Sequence, residues 1–308
     1  MRFGIQHSIG DPAWTPDVLR PAAVADFARR AEDCGFDLIA FTDHPAPSQR
    51  WVDNGGEGVA DPFSSLGFVA AVTSRVRLMT FVLVAGYRNP LLAAHQIATL
   101  DALSEGRVTV GLGTGYLFSE FRALGADPAN RRRLFDENVD LMRRAWAGET
   151  ITAETATLSA RATRVLPPVV QQPHPPLWIH GNGPFGTERA ARYGDGWLGM
   201  ITAGESMVQT TRTTALADLG VLRRRIEELR AATERAGRDP GQVDVVVVGA
   251  WPMLDVRRPL PTDRYLATVA ELEELGVDWV LSTVCGDDVG AARDTLDAFG
   301  GDVVGMTV

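Results

Sequence analysis

Hydrophobic and polar positions recur along this chain in two periods, and the periods take turns. RFGIQ (2–6) opens as a short β-like run. Between Pro21 and Asp33 the apolar residues Val24, Phe27, Ala28 and Ala31 return at helical spacing, and Gly35 supplies a stop. LIAFTDH (38–44) is a nearly continuous apolar run ending in polar residues, the pattern of a strand covered on both faces. The series continues with a helix over 61–74 opened by Asp61 and Pro62, a strand at 77–84, a helix at 91–103 and a strand at 107–113. An amphipathic helix over 131–146 and a Thr- and Pro-rich stretch (150–176) without strong period interrupt it. Strands at 177–181, 197–201, 243–251 and 279–284 then alternate with helices at 186–193, 221–236, 263–275 and 288–299.

Eight strands in alternation with about eight helices predict one (β/α)8 TIM barrel over residues 1–308, with insertions in its βα loops. The irregular stretches 150–176 and 202–220 are read as insertions over the active face. In such a barrel the C-terminal strand ends converge on one mouth. Those ends carry His7, Asp43 with His44, the 85–88 segment, Gly113 to Tyr116, His180 to Gly183, Trp251 and Cys285. Three of the five histidines fall there, which predicts a polar mouth.

Composition narrows the chemistry. A net charge of −9 argues against nucleic acid or an anionic membrane as a main partner. Every basic residue is arginine, which excludes Schiff-base and P-loop lysines. The two cysteines, Cys34 and Cys285, match no zinc spacing and no disulfide framework. No H-x-H or H-E-x-x-H spacing accompanies the histidines, so no metal is expected, and no G-x-S-x-G elbow supports a serine hydrolase. With no apolar leader and no run near membrane-spanning length, the reading is a soluble cytoplasmic protein.

Two glycine clusters remain. GLGTGYLFSE (111–120) reads as a strand end, a glycine turn and a helix, but the third glycine of a dinucleotide fingerprint falls on Phe118. What survives is close backbone approach to a ligand, with hydroxyls from Thr114 and Ser119. GNGPFGTE (181–188) opens directly onto a helix, whose N-terminal amides attract a phosphate.

The motifs FTDHP (41–45), YRNPLLAAHQIATLDALSEGRVTVGLGTGY (87–116), SEF (119–121), VVQQPHPPLWIHGNG (169–183) and AARYGDGW (190–197), in this order, resemble the luciferase-like monooxygenase superfamily. They are most similar to its coenzyme F420-dependent oxidoreductase branch. The resemblance runs from residue 2 to about 201 and implies a (β/α)8 barrel that binds F420, or alternatively FMN, at its mouth. It implies that His44 faces the reactive edge of the ring and that Asp43 belongs to the cofactor site. It maps a non-prolyl cis peptide onto Phe81-Val82, behind the ring, and places the phosphate arm against Gly113, Thr114, Ser119 and the amides of Gly181, Asn182 and Gly183. Tyr116 stands where the sugar-phosphate dehydrogenase branch keeps an acidic proton donor, which points away from glucose 6-phosphate.

The function so implied is hydride transfer between F420 and an activated C=C, C=N or C=O bond of a small organic substrate. His44 manages the proton, with Tyr116 or His7 in reserve. Trp51, Tyr87, Phe118 and Trp251 are read as mouth aromatics that exclude water. One alternative is an FMN-dependent two-component monooxygenase fed by a flavin reductase, and a second is a non-catalytic ligand-binding barrel. Family habit favours a homodimer.

Overall fold

Strand residues of this chain alternate between two hydrophobic environments, and that alternation closes the sheet. The computed structural model describes residues 1–7, 16–56, 58–155, 158–201 and 213–307, so much of the expected 202–220 insertion lies outside the described residues. The strands are β1 (Arg2–Gln6), β2 (Leu38–Phe41), β3 (Arg77–Val84), β4 (Val108–Gly113), β5 (Ile151–Glu154), β6 (Ser159–Thr163), β7 (Leu177–His180), β8 (Gly196–Met200), β9 (Asp244–Val248) and β10 (Trp279–Thr283). Eight of them form a closed parallel barrel in the order β1-β10-β9-β8-β7-β4-β3-β2. Helices surround it: α1 (Pro21–Asp33), α2 (Gln49–Asp53), α3 (Pro62–Val72), α4 (Pro90–Leu103), α5 (Phe118–Ala123), α6 (Arg131–Trp146), α7 (Pro184–Tyr193), α8 (Leu219–Arg235), α9 (Thr262–Glu274) and α10 (Val289–Asp302).

One set of strand side chains, including Phe3, Ile5, Ile39, Phe41, Leu78, Val110, Leu112, Val247 and Val280, packs with the helix faces in a single outer core. The alternate set fills the barrel: Leu38, Ala40, Met79, Phe81, Trp178, Leu198, Val246, Trp279 and Leu281. Burying each large aliphatic or aromatic side chain contributes about 1.5–3 kcal/mol, so strands that are apolar on both faces are what select this sheet. Helix starts follow local chemistry. Asn89 accepts from the Leu91 and Leu92 amides ahead of Pro90, and Asp61 caps Ser64 ahead of Pro62.

The 150–176 stretch corrects its expected position. It follows α6 and leads into β7, so it is a helix-to-strand connection and belongs at the end opposite the mouth. Its first part is an antiparallel hairpin, β5 with β6. Its return leg is pinned low on the barrel. The fully buried Asp101 carboxylate accepts from the Val170 and Gln171 amides at 2.7 and 3.0 Å, and Gln171 Nε2 donates to the carbonyl of Val108, the first residue of β4.

Candidate active site

The uppermost inward-facing layer is set by register. It holds Gln6, Thr42, Val82, Gly113, His180, Met200 and Thr283, each two positions beyond an inward residue of its own strand or, at Val82, beside Phe81. Three of these link by hydrogen bonds. Gln6 Nε2 donates to Thr42 Oγ1 at 2.6 Å, and Thr283 Oγ1 donates to Gln6 Oε1 at 2.9 Å. The other side of the layer is small or apolar at Val82, Gly113 and Met200, with His180 between the last two. The Phe81-Val82 peptide is cis, and the β3–β4 register shifts between Thr80 and Leu83. A Cβ on Gly113 would stand 2.5 Å from Val82 Cγ2, so only glycine ends β4 here. His180 hydrogen-bonds the Leu198 carbonyl through Nδ1 at 3.1 Å, and burial lowers its pKa below the ordinary histidine value.

Beside this floor stands a three-residue chain. Gly115 takes a φ of +80°, turning the backbone so that Tyr116 meets His44, the hydroxyl lying 3.2 Å from Nε2. On the other side of the imidazole, Nδ1 lies 3.2 Å from Glu120 Oε2. Glu120 is 1% exposed, and its second oxygen accepts the Ala46 amide at 3.0 Å. Trp51, on α2, completes an aromatic triangle with ring centroids 6.0 Å from His44 and 5.8 Å from Tyr116.

Neighbouring charges hold this arrangement. Asp43 receives the Arg88 guanidinium at both oxygens and lies 3.4 Å from the Val84 amide, so its side chain ties the end of β2 to β3. Burial pushes its carboxyl above the ordinary value, against the pull of Arg88. Thr114 Oγ1 accepts from Arg189 Nη1 at 3.2 Å, while Arg189 grips Asp136 in a fork at 2.7 and 2.8 Å. Partial burial pushes Asp136 upward, but that fork outweighs it and holds the carboxyl below its ordinary range.

At the second glycine cluster, Asn182 is fully buried. Its amide donates to the Met200 and Thr214 carbonyls and accepts from the Met200 N–H, leaving only backbone to face a ligand. Gly183 precedes α7 with no side-chain cap, and the exposed Arg132 lies 4.0 Å over the ring of Phe185 in its first turn. Ser119 sits exposed on α5.

Two expected mouth residues are elsewhere. His7 turns outward, stacking on Phe41 at 5.0 Å with Phe27 edge-on at 4.6 Å; burial lowers its pKa to about 4, so it is a neutral core residue. Trp251 packs on Tyr265 and Phe299 and donates to Ser282, again in the outer layer. Glu120, Gln6, Thr42 and Thr283 were not singled out by sequence. Glu120 carried a signal as the acid inside SEF, one turn beyond Tyr116, and Thr42 as part of FTDHP. Among the described residues no group of three or more His, Cys, Asp or Glu could hold a metal ion, and no helix is long and apolar enough to cross a membrane.

The family described as luciferase-like monooxygenase matches residues 1–255. An F420-dependent glucose-6-phosphate dehydrogenase of Nakamurella multipartita is 31% identical over 296 residues, covering 90% of this chain and 84% of the relative. An F420-dependent hydroxymycolic acid dehydrogenase of Mycobacterium tuberculosis is 29% identical over 298 residues, covering 88% and 75%. The crystal structure of a monooxygenase from Streptomyces bottropensis superposes with a TM-score of 0.79 over 100% of both chains at 22% identity, a likeness of fold.

Proposed function

The chain belongs to the luciferase-like monooxygenase family, and on that premise we propose that it is a coenzyme F420-dependent oxidoreductase. It transfers a hydride between the deazaflavin and an activated C=C, C=N or C=O bond of a small organic substrate. The named F420 dependence of its relatives supports the cofactor. The observation that carries the chemistry is the 3.2 Å contact between the Tyr116 hydroxyl and His44 Nε2 beside the barrel floor.

Bound F420 supplies hydride chemistry at its ring. The chain's residues suit such a group: the mouth layer combines the small or apolar Val82, Gly113 and Met200 with His180 and with the hydrogen-bonded Gln6, Thr42 and Thr283. The Gly181 amide expected at the phosphate is instead given to the Leu198 carbonyl, whereas the backbone of Asn182 and Gly183, at the uncapped start of α7, is suited to a phosphate, with Arg132 adding positive charge. His44 and Tyr116 hold the proton that accompanies the hydride. The enzyme is read as one 1–308 domain, a cytoplasmic homodimer.

Titration of the purified protein with F420 and, separately, with FMN tests this through fluorescence quenching. F420 is expected to bind. Saturable FMN binding without F420 binding, together with oxygen consumption when a flavin reductase supplies FMNH2, would replace the proposal with the monooxygenase reading.

A further inference from the structure

Glu120 has no assigned part in the reading above, yet it is the most deeply buried carboxylate touching the site. Its two oxygens face the Ala46 amide and His44 Nδ1, at 3.0 and 3.2 Å. As a carboxylate it can only accept, so the neutral imidazole must carry its hydrogen on Nδ1. Nε2 is then a lone pair, and the contact with Tyr116 is a hydrogen bond donated by the phenol. Both hydrogens of the chain point towards Glu120.

From this geometry we propose that Glu120 positions and polarises a proton relay, Glu120–His44–Tyr116, whose resting state is set to take up a proton at the Tyr116 oxygen. Tyr116 is the catalytic residue that touches substrate, and Glu120 is the positioning residue that acts through His44. A relay of this polarity accepts a proton from a hydroxyl, so for a carbinol the dehydrogenation balances as follows. The C–H bond breaks with its electron pair leaving as hydride, for which bound oxidised F420 would be the acceptor, and the C=O bond forms. The hydroxyl proton passes to Tyr116 Oη, while the phenolic proton passes to His44 Nε2. The resulting imidazolium lies against the Glu120 carboxylate. Carbonyl reduction runs the same transfers backwards from the imidazolium, so acidity biases the relay towards reduction. The F420 and hydride partners rest on the proposed function, whereas the tautomer and polarity of the relay do not.

The other charged and titratable neighbours are either paired or neutral. Asp43, next to His44, is engaged by Arg88. Tyr87, which follows β3 and packs edge-on against Phe121, has a buried hydroxyl, and burial raises its pKa, so it stays neutral beside Glu120 and Tyr116. Glu120 is thus the negative charge in hydrogen-bond contact with the imidazole.

The test is ¹⁵N NMR of histidine-labelled protein without cofactor, with His44 assigned by its loss in His44→Gln. In the unaltered protein, neutral His44 is expected as the Nδ1–H tautomer. Glu120→Gln, which can keep the Ala46 hydrogen bond, is expected to move the His44 titration down by about 1–3 pH units. A packing role alone leaves that titration where it was. An Nε2–H tautomer, or a Glu120→Gln titration superimposable on the unaltered protein, overturns the relay. Should Glu120→Gln fail to fold, the tautomer of the unaltered protein decides alone. Failure of F420 to bind would remove the proposed function and leave this result standing.

Discussion

Replacing Gly115 by alanine asks whether the glycine cluster exists to aim Tyr116 or merely to end a strand. Gly115 adopts φ +80°, and an added Cβ would stand 2.6 Å from both Phe121 Cε2 and Val84 Cγ1. Those neighbours are 0% and 5% exposed, so neither can swing aside. A left-handed conformation costs an L-residue about 1–2 kcal/mol, and overpacking a filled core adds about 1–3 kcal/mol, for a total of about 2–5 kcal/mol. Gly125, at the end of α5, supplies an internal control: its φ is +77°, and an added Cβ would meet nothing within 4 Å. Gly125→Ala therefore carries the conformational cost alone, about 1–2 kcal/mol. Urea unfolding of both variants and the parent isolates the clash by subtraction, expected at about 1–3 kcal/mol. A difference smaller than about 0.5 kcal/mol, the scatter of an inconsequential surface change, would refute the packing argument.

Other outcomes follow from the same contacts. Tyr116→Phe keeps the ring but removes the hydroxyl; turnover is expected to fall about 10²–10⁴-fold, followed by F420 absorbance, with F420 affinity unchanged. Arg189→Lys replaces the fork on Asp136 by a point charge and is expected to cost about 1–3 kcal/mol in urea unfolding. Glu32 titrates below its ordinary value of 4.5, because backbone hydrogen bonds from Val76, Arg75 and Ser74 outweigh the upward push of burial. A depressed folded pKa stabilises above the unfolded value, so Glu32→Gln should be less stable at neutral pH. That deficit should shrink as pH falls through 4.5 and below, read from urea midpoints across pH.

The barrel was legible in the sequence because two-sided burial writes short, nearly continuous apolar runs, and β1, β3 and β10 stand where those runs do. The β5–β6 hairpin was not, since ITAE and SARAT pair with each other mostly at the surface and keep no apolar alternation. Residue type also misled at single positions. His7 and Asn182 have the side chains of ligands, but one is sandwiched by aromatic rings and the other is bound up with the Met200 and Thr214 backbone. Glu120 has the side chain of a solvated helix and lies buried. The role proposed for it depends on His44, 76 positions earlier, and local pattern carries no record of such a partner.

The hydrogen bond from Thr283 to Gln6 joins residues 277 positions apart. A ribosome adding about 5–20 residues per second needs about 14–55 seconds to make that span, and for the whole interval the floor of the mouth is missing one wall. Strand β1 meanwhile has only β2 to pair with, its other edge waiting for β10. A fragment ending before β10 therefore keeps His44, Tyr116 and Glu120 but lacks Thr283 and the wall that it adds to the mouth. Quality control by the cell can act on that open edge, which is the physical mark of an unfinished molecule.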